Sequence, residues 1–440
     1  MAIGAGTAAA AAVTADQFGL TGGRHAPPTG SRTVTTDITA LDNGLVIATE
    51  RVPGALSVAA GAWIGVGSRD EPAELAGVSH FLEHLLFKGT AHRTAQEISR
   101  AVDRVGGDMN AFTAKEYTAF YCRLPAAHLG LGVELLGEVV TQPALRDDDI
   151  ETERQVILEE LAMDDDEPDD VAYRVLAEAL YPQHPLGRET AGERTTVEAI
   201  AGDDVRRFHA GHYGATTTVV SVAGPIDHDH VVGLVSSAFE RLGSGPARPA
   251  RSAPGATQAQ IVAREDDIEQ VQLLVGMRAF ERTDDDREAL DVLVHVLGGG
   301  MSSRLFDEIR EQRGLAYSVY AGASLYDDAG AVSVYAGTQP QHFGQVLELV
   351  EQALDQMCAA GITADELDIA VGYLTGAYVL GLEDTGSRMA RAASQLITTG
   401  TIRTVEEQLA RWRRVTLTDV QRVAERVLGS PRIRVTVGPT

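Results

Sequence analysis

Hydrophobic and polar positions alternate in short runs at the start of two similar halves of the chain. Residues 34–52, with an Asp-Asn-Gly turn signal in their middle, predict a β-hairpin, and residues 57–66 predict a further strand. Residues 260–265 and 271–280 have the same character in the second half. Helical periods follow in both halves, so strands come first and last with helices between them. The pattern predicts an α+β fold with two homologous halves, each a mostly antiparallel sheet packed with helices.

The two halves also end alike, which indicates an internal duplication. Residues 204–208 have a helical pattern and lead into a strand-like run at 216–223 that is followed by Gly-Pro. Residues 419–423 lead in the same way into 433–437 and a second Gly-Pro, about 215 residues later. A stretch rich in Pro, Gly, Ser and Ala separates the halves. We therefore predict four parts: a mobile N-terminal extension at 1–32, an N-terminal domain at 33–242, a linker at 243–257 and a homologous C-terminal domain at 258–440.

Composition and charge exclude some classes of partner. Lys and Arg total 37 against 63 for Asp and Glu, a net charge of -26, so the surface repels phosphate backbones and we expect no nucleic-acid partner. No apolar run is long enough to span a membrane, and the Ala-rich start lacks the basic residues of a secretory signal. Cys122 and Cys358 both lie in apolar stretches, which is typical of buried thiols in a reducing compartment. We therefore expect a cytoplasmic location.

The sharpest chemical signal is the sequence His80-Phe-Leu-Glu83-His84 within a predicted helix. The apolar residues around the motif form one stripe, while His80, Glu83 and His84 share the opposite side of the helix. Histidines at positions i and i+4 are close enough to coordinate one zinc ion, and the intervening glutamate would lie beside the metal, where it can accept a proton from water. The alternative is an ordinary helix with two solvated histidines and a chance glutamate.

A second helix supplies candidates for a third metal ligand. Three aspartates at 147–149 are expected to cap a helix that runs from about residue 150 to 163. In it Glu153 and Glu160 are seven residues apart, so they lie within about 20° of one another on one helix face. One of them could bind the metal while the other holds a histidine, and Glu159 is a spare candidate one residue away. The alternative interpretation of this helix is a solvated acidic face.

With both motifs present, the sequence resembles the pitrilysin-type, or inverzincin, zinc metallopeptidases, most closely the small bacterial members similar to the β subunit of mitochondrial processing peptidase. In that family the H-x-x-E-H motif is followed, 76 residues after its second histidine, by a glutamate in a segment like E-R-x-V-I-x-x-E. Residues 153–160 match that segment at the same spacing. The resemblance therefore implies one Zn2+ ion per chain, held by His80, His84 and Glu160, with Glu153 as the supporting carboxylate.

The resemblance covers the chain from about residue 38 onward and implies further roles. In the second half, Arg310 and Tyr317 resemble the family's R-x-x-x-x-x-x-Y pair, which contacts substrate and stabilises the oxyanion from the facing domain. Taken alone, these two side chains would be ordinary surface and core residues. Residues 107–113 resemble the family's active-site edge strand, along which the substrate backbone pairs as an added strand. The implied substrate-binding residues of this strand are Asn110, Ala111, Phe112 and Thr113.

The activity implied by the resemblance is that of a zinc-dependent endopeptidase acting on peptides or unfolded segments inside a closed chamber. Glu83 would be the general base for the attacking water, and Glu153, Arg310 and Tyr317 would support catalysis. The family's active unit is a clamshell of four half-domains, and this chain supplies two. A homodimer could therefore complete two sites, with Arg310 and Tyr317 acting in the other protomer. Two alternatives remain: a non-catalytic core or interaction subunit, and a catalytic subunit that requires a separate partner.

Three other patterns have structural interpretations. The second half lacks H-x-x-E-H and retains only His295 ahead of the glycines at 298–300, so it should bind no zinc, and the glycines predict a flexible connection rather than a phosphate loop. Asp227, within an Asp-His-Asp-His sequence, is expected to cap a helix rather than to bind metal. The acidic run at 164–170 lacks the spacing of a calcium-binding loop, so we expect a solvated loop there.

Overall fold

The computed structural model describes residues 36–245 and 247–439, and the predicted N-terminal extension lies outside them. The N-terminal half contains a six-stranded sheet in the order β1-β2-β6-β3-β5-β4. The β2–β6 pair is parallel and the other pairs are antiparallel, with β4 at one edge. The strands are β1 (Thr36–Ala40), β2 (Val46–Arg51), β3 (Ser57–Ile64), β4 (Asp108–Thr113), β5 (Thr118–Pro125) and β6 (Thr218–Gly224).

The C-terminal half contains a five-stranded sheet in the order β7-β11-β8-β10-β9. Here the β7–β11 pair is parallel, and β9 forms the edge that corresponds to β4 in the first sheet. The strands are β7 (Gln260–Arg264), β8 (Val271–Ala279), β9 (Ala316–Leu325), β10 (Gly330–Thr338) and β11 (Arg432–Val437). The predicted α+β fold with two similar, mostly antiparallel sheets is confirmed.

Helices cover both sheets and are distributed alike in the two halves. Those of the first half are α1 (Val78–Leu86), α2 (Ala95–Asp103), α3 (Leu129–Thr141), α4 (Asp147–Asp166), α5 (Pro168–Leu180), α6 (Arg194–Ala199), α7 (Gly202–His212) and α8 (His228–Ala238). Those of the second half are α9 (Arg287–Val294), α10 (Phe343–Ala360), α11 (Ala364–Gly381), α12 (Thr385–Thr399), α13 (Val405–Arg414) and α14 (Leu417–Val427). Two π-helical turns, His295–Gly299 and Phe306–Glu311, lie between α9 and β9.

Helix α4 differs from its predicted form at both ends. Arg146 occupies the N-cap position without a side-chain hydrogen bond, so the aspartates at 147–149 lie in the first turn, where their charge favours the helix dipole. The acidic run at 164–170 is not a loop, because α4 continues to Asp166 and α5 begins at Pro168, a residue well suited to a first helical turn. The cap by Asp227 is confirmed, since its carboxylate accepts a hydrogen bond from the backbone nitrogen of His230 at 3.0 Å.

Each half contributes a helix to the other half's sheet. Helix α5 packs against β8 and β11, and α12 packs against β2, β3 and β6. The buried carboxylate of Glu50 on β2 fixes α12 by ion pairs with Arg388 and Arg391. The two sheets are therefore joined by shared helices in addition to the segment at 243–257. That segment forms neither helix nor strand in its described residues.

Cys122 is buried, Cys358 is partly buried and both are free, and burial raises the pKa of the Cys122 thiol to about 12. Among the described residues, no helix is both long and apolar enough to cross a membrane.

Candidate metal centre

Helix α1 is positioned from both its apolar face and its N-terminus. Phe81, Leu82 and Leu85 are fully buried against the first sheet, and each contributes about 1.5–3 kcal/mol through removal of apolar surface from water. Gly77 precedes the helix with a φ of 97°, which residues with a side chain rarely adopt. The carboxylate of Glu71 accepts hydrogen bonds from the backbone nitrogens of Gly77 at 2.8 Å and Ser79 at 2.7 Å. The polar face of α1 is therefore held in one orientation.

The candidate metal ligands converge between α1 and α4. His80 and His84 lie one turn apart, with ring centroids separated by 4.7 Å. A carboxylate oxygen of Glu160 lies 3.8 Å from Nε2 of His80 and 3.5 Å from Nε2 of His84. Among the described residues this is the one group of three such side chains whose ligand atoms lie within 4.8 Å of one another.

This donor set fits a zinc ion. Two atoms bound to one tetrahedral Zn2+ at about 2.0–2.2 Å are about 3.3–3.6 Å apart, close to the separations from Glu160 to the two histidines. Burial and the neighbouring His84 lower the pKa of His80 to about 4, so its imidazole is neutral and has a lone pair to donate. The set of two imidazoles and one carboxylate is that of a hydrolytic zinc site with an open fourth position.

Glu153 holds the second histidine. Its carboxylate lies 3.2 Å from Nδ1 of His84 on one side and 2.5 Å from Nζ of Lys88 on the other. Burial opposes the charged form of His84, but the hydrogen bonds with Glu153 and Glu160 raise the pKa of this histidine to about 9. Glu153 therefore lies at Nδ1 of His84, whereas Glu160 lies at Nε2, so the two carboxylates contact different nitrogens of one imidazole.

Glu83 lies beside the ligands without belonging to them. The hydroxyl of Thr113 donates a hydrogen bond to one of its carboxylate oxygens at 2.6 Å. Burial raises the pKa of Glu83 above its usual value, while the bond from Thr113 opposes that shift. A carboxylate with a raised pKa next to a metal position is suited to accept and return a proton.

Strand β4 carries the four predicted substrate-binding residues at the edge of its sheet. Thr113 faces α1 through its bond to Glu83, whereas Phe112 packs against Trp63, Tyr117 and Tyr121. Asn110 and Ala111 lie farther from the turn, and Asn110 accepts a hydrogen bond from the backbone nitrogen of Ala111 at 2.8 Å. Because β4 pairs with β5 on one side, its other side presents backbone groups that an extended peptide can pair with.

Arg310 and Tyr317 lie near each other. Arg310 belongs to a π-helical turn, and its guanidinium lies 5.2 Å from the centroid of the Tyr317 ring. Tyr317 is 78% exposed near the start of β9, so it is not a core residue. Among the described residues, no hydrogen bond or ion pair joins either side chain to His80, His84 or Glu160.

The glycine triplet of the second half packs closely instead of forming an open loop. A Cβ atom at Gly298 would lie 2.5 Å from the backbone nitrogen of Ala321 on β9, which explains the need for glycine there. His295 stacks on Tyr373 of α11 with ring centroids 4.2 Å apart.

Two similar α+β halves, one of which carries an H-x-x-E-H motif, are the features of the inverzincin class of metallopeptidase folds. Residues 46–194 match the family model described as "Insulinase (Peptidase family M16)", and residues 199–374 match "Peptidase M16 inactive domain". An uncharacterized zinc protease of Streptomyces coelicolor is 43% identical over 410 residues, covering 91% of this chain and 89% of that protein. One of Bacillus subtilis is 35% identical over 389 residues, covering 88% and 94%. The chain belongs to peptidase family M16.

Solved structures support the fold. A peptidase M16 inactive domain from Pseudomonas fluorescens superposes with a TM-score of 0.87 at 21% identity, covering 92% of this chain and 99% of that one. A protease from Helicobacter pylori gives a TM-score of 0.84 at 24% identity, covering 92% and 100%. At these identities the likeness concerns the arrangement of sheets and helices.

Proposed function

We propose that the chain is a zinc-dependent endopeptidase. The observation that carries this proposal is the convergence of His80, His84 and Glu160, from segments 76 residues apart, with the carboxylate of Glu83 beside them. The relatives carry the name uncharacterized zinc protease, which supports the choice of metal. The same donor set would accept other divalent ions. We propose zinc because two imidazole nitrogens and a carboxylate oxygen suit its tetrahedral coordination.

The chain's own residues divide the chemistry between them. A Zn2+ ion in this site would acidify a water molecule and polarise the scissile carbonyl. Glu83 accepts the proton of the attacking water and then delivers it to the leaving amine, while Thr113 holds one oxygen of its carboxylate. Glu153 keeps His84 oriented throughout.

The proposed substrate is an extended peptide or an unfolded segment. Such a segment can add to the free side of β4, where backbone hydrogen bonds position it without regard to most side chains. Asn110, Ala111, Phe112 and Thr113 would then lie alongside the substrate, next to Glu83. A chamber closed over this edge would admit peptides and exclude folded proteins.

We further propose that two copies of the chain form a homodimer in which Arg310 and Tyr317 act in the partner's site. The exposure of Tyr317 supports this arrangement, as does the absence, among the described residues, of a hydrogen bond or ion pair between Tyr317 and His80, His84 or Glu160 of its own chain. A phenol and a guanidinium would stabilise the developing oxyanion. The alternatives are a catalytic subunit with a separate partner and a non-catalytic core subunit. The cytoplasmic location expected from the free cysteines stays a prediction.

The proposed function is tested by metal analysis and by hydrolysis of quenched, unfolded peptides. The purified chain is expected to contain about one zinc per polypeptide, to cleave peptides internally, to lose activity with a chelator and to recover it with added zinc. A zinc-loaded dimer without hydrolysis would instead support the non-catalytic alternative.

Replacing Glu153 with Gln is expected to weaken zinc binding by about 10- to 100-fold, because the histidine loses a charged hydrogen-bond partner. Competition with a zinc chelator measures the affinity. Glu151→Gln is the matched control, since Glu151 lies on the same helix and pairs with Arg154 instead of a ligand. Equal affinities of the two variants would contradict the role of Glu153.

Replacing Thr113 with Val removes the hydroxyl that holds Glu83 and is expected to lower kcat by about tenfold or more, as for other hydrogen bonds to charged groups. Zinc content should not change. Thr113→Ser retains the hydroxyl and should keep most of the activity. A Val variant as active as the Ser variant would show that this bond is dispensable.

Mixing subunits tests the assignment of Arg310 and Tyr317. Glu83→Gln chains and Tyr317→Phe chains are each expected to be impaired, and a heterodimer of the two should recover one intact site. Recovery in isolated heterodimers would support action across the dimer. Heterodimers as inactive as either parent would mean that Tyr317 does not act in the partner's site.

A further inference from the structure

Seven charged side chains from both halves meet at the turn between β4 and β5. We call this set the inter-half junction. Its three arginines and four carboxylates come from the first half, the segment at 243–257 and the second half, and pair with one another. They are Arg69, Asp70 and Glu116, then Arg251, and finally Arg282, Asp327 and Asp328.

Glu116 lies in the β4–β5 turn, and four separate segments bind it. One carboxylate oxygen accepts hydrogen bonds from Nη1 of Arg69 at 2.7 Å and from the backbone nitrogen of Asp327 at 3.0 Å. The other accepts one from Nη2 of Arg282 at 2.7 Å. The backbone oxygen of Glu116 accepts a fourth from Nη2 of Arg251 at 2.7 Å. The Glu116 side chain is 1% exposed, so these partners replace water around its charge.

The turn between β9 and β10 is attached to the first half by the same junction. Both carboxylate oxygens of Asp328 accept hydrogen bonds from Nη2 of Arg69, at 2.6 and 2.7 Å. Asp327 pairs with Arg251 and, at 2.9 Å, with Arg282. The turns that follow the two sheet edges, β4 and β9, are thus held against each other.

A cluster of this kind adds little to the free energy of folding, but it fixes the relative positions of its members. Removing charges from water costs free energy that their attraction repays only when every charge has several well-placed partners. The hydrogen bonds to Glu116 are directional, because three come from planar guanidinium groups and one comes from a backbone amide. The junction therefore fixes the position of the turn.

The position of the turn bears directly on the metal centre. Thr113, three residues before Glu116, is the last residue of β4 and holds Glu83. The turn closes through a hydrogen bond of 2.8 Å from the backbone nitrogen of Ala114 to the backbone oxygen of Tyr117. A shift of the turn would move Thr113 relative to Glu83 and would also move the free side of β4.

We propose that Glu116 and Asp328 are positioning residues, through which the second half of the chain holds β4 and Thr113 in register with Glu83. The inference rests on the proposed function. It gives the half without H-x-x-E-H a role in catalysis within its own chain, separate from any action of Tyr317 in a partner.

The test compares Asp328→Asn with Glu366→Gln in the full-length, zinc-loaded chain. Asp328 is the milder choice, because it is 25% exposed and pairs with one arginine, whereas Glu116 is buried. Glu366 serves as the control, since it is 24% exposed and both its oxygens bind one arginine, Arg304. Its other partner, Thr363 at the N-cap of α11, also lies outside the junction. Asp328→Glu retains the charge and serves as the conservative variant.

Hydrogen exchange measures how firmly the turn is held, independently of activity. Asp328→Asn is expected to speed exchange at the amides of Ala114 and Asp327 by about tenfold, with no change at Gly44 in the β1–β2 turn. Glu366→Gln should leave all three amides unchanged. Unchanged exchange at Ala114 in Asp328→Asn overturns the proposal whatever the activity.

Kinetics measures the consequence for catalysis. Asp328→Asn is expected to lower kcat by about tenfold and to raise KM, with zinc content and melting temperature unchanged, because Glu83 and the substrate-binding edge are displaced together. Asp328→Glu should restore most of the loss. Faster exchange with wild-type kcat and KM would overturn the link to catalysis. A wild-type chain without peptidase activity would overturn the proposed function, while the exchange result would still decide whether the junction positions the turn.

Discussion

Replacing Glu83 with Gln is expected to reduce kcat by about 10²- to 10⁴-fold while zinc stays bound. Gln has nearly the same shape and can still accept the hydrogen bond from Thr113, but it cannot accept a proton from water at neutral pH. Because Glu83 is not one of the three converging ligands, the metal content should equal that of the unmodified chain. Steady-state hydrolysis of a quenched peptide and metal analysis of the same sample make the measurement.

The Glu83 variant has a simple control. Glu74→Gln changes an exposed glutamate just ahead of α1 and should leave kcat within twofold. Residual activity of the Glu83 variant near the wild-type value would remove Glu83 as general base. Loss of zinc in that variant would instead place Glu83 among the groups that hold the metal.

Replacing Glu160 with Gln is expected to abolish activity by a different route, the loss of the metal. Glu160 supplies the anionic ligand to a site that otherwise has two neutral donors, so zinc affinity should fall by more than the roughly 100-fold expected for a supporting carboxylate such as Glu153. Zinc content after dialysis and kcat/KM should fall together. High zinc concentrations should recover part of the activity, which they cannot do for Glu83→Gln.

The neighbouring glutamate supplies the control for Glu160. Glu159 precedes it on α4, is exposed and lies outside the converging group. Glu159→Gln should therefore retain zinc and activity. If Glu159→Gln lost zinc while Glu160→Gln kept it, the assignment of the third ligand would be wrong.

The local parts of the site could be predicted from the sequence. The spacing of His80 and His84 fixes two imidazoles on one face of α1 whatever the rest of the fold, because helix geometry alone decides it. Helix geometry alone could not decide which of Glu153, Glu159 and Glu160 is the third metal ligand. Helix periodicity left the choice open, since the rotation of α4 against α1 depends on packing between the helices, and only the resemblance nominated Glu160.

Contacts between distant segments could not be predicted. The bond from Thr113 to Glu83 spans 30 residues and depends on how β4 lies beside α1. The sequence gives only a weak indication that Glu71 caps α1. The N-cap residue of this helix is a glycine rather than Ser, Thr, Asp or Asn, so the cap has to come from a residue elsewhere in the chain. The mutual packing of α5 and α12 on the opposite sheets and the inter-half junction arise from tertiary packing, for which no local pattern in this sequence is diagnostic.

The most direct test of the account is the position of a bound ion. In a crystal of the zinc-loaded chain, diffraction data collected at the zinc absorption edge should show one anomalous peak per chain. We expect it at about 2.0–2.2 Å from Nε2 of His80, Nε2 of His84 and a carboxylate oxygen of Glu160. A fully loaded protein with its anomalous peak elsewhere, or with Glu160 out of bonding distance, would contradict the proposed centre.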